Sequence, residues 1–91
     1  AQVTTTKTVS PSYDCAKAVT FAEVTVCQSN TLAEKDRTLA ETYKSVLAKS
    51  EDKQGLRSTL NDWRKNKRDK CRTPECIDAA YDQIIIELTA D

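Results

Sequence analysis

Four cysteines in a chain of 91 residues constrain the fold of this protein more than any other feature. A domain of this size buries only about 60–65% of the surface of its unfolded chain, so cross-links are a natural source of stability. Four cysteines permit three pairings, of which proximity in the sequence and the helix layout favour Cys15–Cys27 and Cys71–Cys76. Disulfides indicate an oxidising compartment, and we therefore expect a periplasmic or secreted protein.

A zinc site is the alternative use of these cysteines. Cys71 and Cys76 are close enough in sequence to form half of a structural zinc site. Cys15 and Cys27 do not have the spacing of a usual second half, and the chain contains no histidine. The spacing therefore favours disulfides, and we expect neither a metal nor a cofactor in this domain.

Helical signals dominate the chain after its first thirteen residues. The segment Thr20–Glu23 has the spacing of a capping box, in which two side chains accept backbone N–H groups, and it predicts a helix over residues 21–28. Asn30 or Thr31 can cap a second helix over residues 31–49. The apolar residues of this second helix recur at the spacing of one helical face: Leu32, Leu39, Tyr43, Val46 and Leu47.

Two further helices follow. Ser50 can cap a third helix over residues 51–70, and its predicted buried stripe is Leu56, Leu60 and Trp63. The position of Trp63 in this stripe favours a role as a core anchor over a role as an exposed binding residue. Thr73-Pro74 marks the start of a fourth helix, because proline suits the first helical position. The apolar face of this helix extends to about residue 89 and comprises Ile77, Ala80, Tyr81, Ile84 and Leu88.

Short connections between consecutive long helices predict an all-α fold: an antiparallel three-helix bundle with a short N-terminal helix laid across it. Residues 1–13 are rich in threonine and serine and predict a flexible N-terminal arm, which leaves residues 14–91 as the disulfide-stapled domain. The absence of an initiator methionine is expected after removal of a signal peptide or after trimming of the expressed chain. No hydrophobic run approaches the roughly 20 residues of a transmembrane helix, although a lipid anchor upstream would not be visible.

Charge is balanced overall but unevenly distributed. Residues 53–72 carry eight basic and two acidic side chains, whereas residues 73–91 carry five acidic side chains and no basic one. The favoured interpretation is a solvated basic face that pairs with the acidic last helix. The alternative is a site for an anionic partner, although zero net charge and the lack of interleaved aromatic residues argue against nucleic acid. The candidate partner-binding residues are Arg57, Arg64, Lys65, Arg68, Asp78, Asp82 and Glu87.

The residue inventory argues against an enzyme. Without histidine, the chain cannot build a Ser–His or Cys–His nucleophile pair. With a single glycine, it has no phosphate-binding loop and no dinucleotide fingerprint. Its carboxylates are spread over predicted helix surfaces, where solvated charge is the ordinary explanation. We therefore expect a protein that acts by binding.

An ordered set of cysteines, aromatic residues and charged residues runs from Ser12 to Leu88. It consists of Asp14-Cys15-Ala16-Lys17-Ala18, Glu23, Val26-Cys27, Leu32, Asp36, Leu39, Tyr43, Trp63, Arg68-Asp69, Cys71, Cys76, Tyr81 and Leu88. In this order the set resembles the LprI-type lysozyme-inhibitor domain family of bacterial secreted and lipid-anchored proteins. One departure is Ile84, where the family commonly has an arginine, so no role of that arginine can be transferred.

The resemblance implies a cell-envelope or secreted helical domain whose activity is the inhibition of lysozyme. Animal c-type lysozymes are strongly basic, so an inhibitor of this kind would approach them with its acidic patches. We expect an exported binding protein with a protein partner, which blocks the lysozyme cleft without chemistry. The alternatives are an immunity or adaptor protein for a bacterial effector or envelope enzyme, and a structural or stress-associated envelope domain.

Overall fold

A computed structural model describes residues 9–90, and every regular element within this range is helical. The α-helices are α1 (Phe21–Gln28), α2 (Asn30–Lys49), α3 (Lys53–Asn66) and α4 (Pro74–Thr89). Two short 3₁₀ turns, Cys15–Lys17 and Arg68–Lys70, precede α1 and α4. The predicted all-α fold is confirmed.

Side-chain caps set the starts of α1 and α4, as predicted. The Thr20 hydroxyl accepts the N–H of Glu23 at 3.0 Å, and the Glu23 carboxylate accepts the N–H of Thr20, which completes the capping box. At α4 the Thr73 hydroxyl accepts the N–H of Cys76, and Pro74 occupies the first turn, where its missing N–H costs no hydrogen bond. Local chemistry alone therefore explains where these two helices begin.

The second helix begins one residue earlier than predicted. The Ser29 hydroxyl, rather than Asn30 or Thr31, accepts the N–H of Leu32 at 3.2 Å. The Asn30 side chain is engaged elsewhere, since its amide oxygen accepts the N–H of Val9 at 3.0 Å. A contact distant in sequence therefore decides which of three adjacent polar residues becomes the cap.

The third helix is capped by Asp52 and not by the predicted Ser50. The Asp52 carboxylate accepts the N–H of Gly55 at 2.9 Å, and a negative charge is favoured at this positive end of the helix. Ser50 instead ends α2 and accepts the N–H of Asp52 through its hydroxyl. The Asp52 carboxylate lies in the space that a Cβ at Gly55 would occupy, so a side chain at this position would require the carboxylate to shift.

The prediction that the third helix extends to residue 70 is wrong. It ends at Asn66, and the chain then forms the 3₁₀ turn Arg68–Lys70. Cys71, which follows this turn, is held against the first turn of α4 by its disulfide to Cys76. A straight helix through residue 70 would not allow the chain to reverse into this position.

The core lies between α2 and α4, which form the most extensive helix pair, and α1 packs on both. Its buried members are Ala22, Val26, Leu32, Ala33, Leu39, Trp63, Cys71, Ile77, Ala80, Tyr81 and Ile84. Ile84 is almost completely buried, so the position that departs from the family pattern is an apolar core position in this chain.

The first half of α3 stands apart from this core. Of its predicted buried stripe only Trp63 is fully buried, whereas Leu56 and Leu60 are half-buried. The facing half of α2, after Leu39, also has no fully buried side chain, and its apolar residues Tyr43, Val46 and Leu47 are half-buried. A cavity therefore remains between α2 and α3.

Both predicted disulfides are present, Cys15–Cys27 and Cys71–Cys76. The first ties the first 3₁₀ turn to the last turn of α1, and the second ties the end of the second 3₁₀ turn to α4. Each closes a short loop, and a disulfide of this kind contributes about 2–3 kcal/mol. Because all four sulfur atoms are paired, no thiolate is left for the zinc alternative.

Part of the predicted N-terminal arm lies on the helices. Pro11 is buried, and the backbone oxygen of Ser10 accepts a hydrogen bond from Arg37 at 3.3 Å. Residues 9–13 therefore pack with the helical domain. The prediction of a flexible arm over residues 1–8 lies outside the described residues.

Candidate functional site

A buried carboxylate connects three separate parts of the fold. Asp36 on α2 is only 4% exposed. One of its oxygens accepts the backbone N–H and the hydroxyl of Ser12, at 2.6 and 2.5 Å, and the other accepts the hydroxyl of Tyr81 on α4 at 2.7 Å. Burial and the neighbouring carboxylate raise the pKa of Tyr81 well above its ordinary value, so this phenol stays a donor. Asp36 therefore joins the N-terminal segment to α2 and α4.

A buried guanidinium lies beside this carboxylate. Arg68 is 4% exposed and donates from Nε to Asp69 Oδ1 at 2.9 Å. Its Nη2 lies 2.9 Å from the same oxygen and 3.7 Å from Oε2 of Glu23, but neither contact is aligned as a hydrogen bond. The guanidinium carbon lies 5.8 Å from the centre of the Tyr13 ring, within the range of a cation–π contact. Arg68 thus keeps unused donor capacity although it is buried.

Glu23 carries the network to the start of α1. Its Oε1 accepts the backbone N–H groups of Val19 and Thr20 at 2.9 and 3.1 Å. These two hydrogen bonds lower the pKa of Glu23, and the nearby Arg68 acts in the same direction. The Tyr13 hydroxyl donates to the backbone oxygen of Glu23 at 2.7 Å, and burial raises the pKa of Tyr13 to about 12.

Replacing Glu23 by glutamine is expected to lower the free energy of unfolding by about 1 kcal/mol at neutral pH, because a neutral amide accepts the capping hydrogen bonds less strongly. A lowered carboxylate pKa stabilises the fold above the unfolded-state pKa, about 4.3, and this contribution disappears as the pH falls through the folded-state pKa. Urea unfolding at pH 7 and pH 3 measures the effect, with exposed Glu34→Gln as the control. An equal loss at both pH values would contradict the assignment.

The network forms one side of the cavity between α2 and α3, whose volume is about 320 Å³. Its fully buried lining residues are Asp36, Leu39, Trp63 and Arg68. Half-buried lining side chains are Tyr13, Glu23, Ala40, Tyr43 and Leu60, whereas Ser12 and Arg64 are exposed at its rim. The cavity therefore combines aromatic and aliphatic walls with charged groups that already have fixed positions.

The predicted basic binding residues do not form one surface. Arg57, Arg64 and Lys65 are exposed on α3, as an interaction surface requires. Arg68 is buried in the 3₁₀ turn, because α3 ends at Asn66 and Arg68 does not continue the predicted basic face of this helix. Arg68 therefore cannot contact a partner on the outer face of α3, although it lines the cavity.

The predicted acidic residues of α4 do not lie on one face, because Asp78 and Glu87 are about 180° apart around the helix. Asp78 and Asp82 both pair with Lys35 of α2, at 2.6 and 2.8 Å, and these contacts raise the pKa of Lys35. Glu87 is exposed and accepts a hydrogen bond from Gln83. The acidic helix is therefore paired with α2 and not with the basic residues of α3, contrary to the favoured sequence interpretation.

The sequence reasoning did not identify the buried network as a site. Glu23, Asp36, Asp69 and Tyr81 carry the family resemblance but were not assigned to a site, and Ser12 and Tyr13 were assigned to the N-terminal arm. One signal was available, because Asp36 lies four residues after Leu32 and three before Leu39, within the apolar stripe of α2. A carboxylate at such a position is buried and needs partners, but the periodicity does not say which residues supply them.

The fold and this site define a disulfide-stapled all-α domain built around a buried carboxylate–arginine network. Residues 14–91 match the family model described as Lysozyme inhibitor LprI. The chain belongs to the LprI lysozyme-inhibitor family, which confirms the resemblance. No curated protein and no solved structure matched the chain. Between residues 9 and 90, no helix has the length and apolar character needed to cross a membrane.

Proposed function

We propose that this domain is an exported cell-envelope protein that inhibits lysozyme by covering its substrate cleft without chemistry. The observation that carries the proposal is the family match, which spans residues 14–91 and therefore the whole helical domain. The two disulfides support an oxidising location outside the cytoplasm. The family implies a protein partner, which binds an exposed surface of the domain.

The outer side of α4 is the surface that best fits a basic enzyme. We define the α4 acidic face as Asp78, Asp82 and Ile86, which recur at the i, i+4 spacing of one side of a helix. Lys35 neutralises only one of the two aspartates that it contacts, so this group retains one negative charge. Ile86 is 65% exposed and offers an apolar anchor among these charges. Opposite charge steers association, and an apolar residue covered at the interface slows dissociation.

Lysozyme activity on peptidoglycan in the presence of increasing inhibitor tests the proposal. We expect dose-dependent protection that reaches a plateau and weakens as the salt concentration rises, since exposed charges are screened. Protein that has been reduced and alkylated should lose the effect, because the disulfides hold the fold. The absence of protection at a large molar excess of folded protein would overturn the proposal.

The variant Ile86→Lys tests the surface. It replaces the apolar anchor with a positive charge that faces a basic partner, so inhibition should weaken at least about tenfold, equivalent to about 1.4 kcal/mol. Arg57→Ala with Lys65→Ala on α3 is the control and should inhibit as well as the unmodified protein. If the α3 variant lost inhibition and the α4 variant kept it, the assignment of the surface would be wrong.

A further inference from the structure

We propose that the cavity between α2 and α3 binds one neutral, hydroxyl-bearing ring, such as a single pyranose unit of a saccharide. This site is distinct from the α4 acidic face, and the proposal does not depend on lysozyme inhibition. It rests on the hydrogen-bonding groups, the charge balance and the dimensions of the cavity.

The hydrogen-bonding groups suit a hydroxyl. Arg68 is almost completely buried, yet its Nη2 has no aligned acceptor within the described residues. Glu23 lies beside it, with Oε2 at 3.7 Å from Nη2, while the backbone hydrogen bonds that hold Glu23 both use Oε1. A hydroxyl in the cavity can donate to Oε2, and its oxygen then lies close to the positive charge of Arg68, whose Nη2 is itself covered by surrounding atoms.

The charge balance favours a neutral ligand over an ion. Two carboxylates, Glu23 and Asp36, and two guanidiniums, Arg64 and Arg68, line the cavity, so their formal charges cancel. Asp69 lies behind Arg68 and adds a negative charge close to the same guanidinium. An anion would meet these carboxylates, and a cation would meet the guanidiniums. A neutral ring with several hydroxyls avoids both penalties.

The dimensions and the walls of the cavity also fit a single ring. A volume of about 320 Å³ lies at the lower end of the range of ligand pockets, roughly 300–1,000 Å³. Three aromatic residues, Tyr13, Tyr43 and Trp63, line it. The faces of aromatic rings carry partial negative charge, against which the C–H faces of a pyranose can pack. The cavity thus offers an apolar surface and hydrogen-bonding groups to the same small ligand.

The fluorescence of Trp63 provides a direct readout, because this residue is the only tryptophan in the chain and lines the cavity. Titration with glucose and N-acetylglucosamine should change the emission in a saturable way. Glucosamine and glucuronate supply positively and negatively charged versions of the same ring. Both should bind at least several-fold more weakly than the better neutral sugar.

Two matched variants on α2 separate binding in the cavity from nonspecific effects. Ala40 lines the cavity, so Ala40→Phe should fill it and weaken sugar binding at least about tenfold. Ala48→Phe introduces the same side chain at an exposed position of the same helix and should leave binding unchanged. Circular dichroism and thermal unfolding establish that both variants are folded.

Three results would overturn the proposal. One is the absence of a saturable response to either neutral sugar up to about 100 mM, a concentration that would detect even weak binding. Another is an equal response in folded Ala40→Phe. The third is tighter binding of glucosamine or glucuronate than of the neutral sugars. None of these results bears on the lysozyme assay, so the two proposals can fail independently.

Discussion

Replacement of Asp36 by alanine is expected to lower the free energy of unfolding by about 3 kcal/mol, a large share of the 5–15 kcal/mol of a typical domain. The carboxylate accepts three hydrogen bonds, two from Ser12 and one from Tyr81. Its removal leaves the buried Tyr81 hydroxyl without its acceptor and releases the N-terminal segment from α2. Urea unfolding followed by circular dichroism measures the loss.

Two further variants test this explanation. Tyr81→Phe removes one of the three hydrogen bonds and should cost about 1–2 kcal/mol, less than Asp36→Ala. Asp62→Ala removes an exposed carboxylate on α3 and should change the stability by no more than about 0.5 kcal/mol. A loss below about 1 kcal/mol for Asp36→Ala would show that Asp36 does not hold the three segments together.

Trp63→Ala is expected to lower the free energy of unfolding by about 4 kcal/mol. Trp63 is 7% exposed and is the only fully buried side chain of α3. It packs edge-on against the Tyr81 ring at 5.1 Å between centres, and its indole N–H donates to the backbone oxygen of Ala80 at 3.0 Å. Its loss removes the main attachment of α3 to α4.

The controls for Trp63 separate packing from hydrogen bonding. Trp63→Phe keeps an aromatic ring but loses the donor to Ala80, so it should cost about 2 kcal/mol. Leu56→Ala truncates a half-buried residue of the same helix and should cost about 1 kcal/mol. Circular dichroism is the appropriate measurement for all three variants, because the two Trp63 variants remove the only tryptophan of the chain. Equal losses for Trp63→Ala and Leu56→Ala would contradict the anchoring role.

One buried polar network links the stability of the fold to the candidate cavity. Five polar residues that carry the family resemblance lie in it: Asp36 accepts a hydrogen bond from Tyr81, and Arg68 pairs with Asp69 and lies near Glu23. Ser12, which binds Asp36, is followed by Tyr13, which binds Glu23 and contacts Arg68, and this segment links the two groups. The network holds the cavity walls in place, and it connects the N-terminal segment and α1 to α4. The proposed lysozyme-binding face lies on the outer side of α4, so a variant of the network tests stability without changing that face.

Features that depend on neighbouring residues, namely two helix starts and the disulfide pairing, could be predicted from the sequence. The capping box at Thr20–Glu23 and the proline at the start of α4 act within a few residues, so they predicted the starts of these helices. The two disulfides join cysteines that are close in sequence, which is why proximity selected them among three pairings. The apolar periodicity of α2 and α4 reflects burial along a single face of each helix, so it correctly predicted that both segments are helical.

Features that depend on contacts between residues far apart in the sequence were decided only by the tertiary structure. The Asn30 side chain binds Val9 instead of capping α2, and Arg68 lies outside the predicted basic face because the chain turns after Asn66. Asp36 and Tyr81 are 45 residues apart, and no periodic pattern states that they meet. Four cysteines therefore determined the two local staples of this domain. The buried network and the cavity between α2 and α3 arose from packing, because each depends on helices that the chain brings together only when it folds.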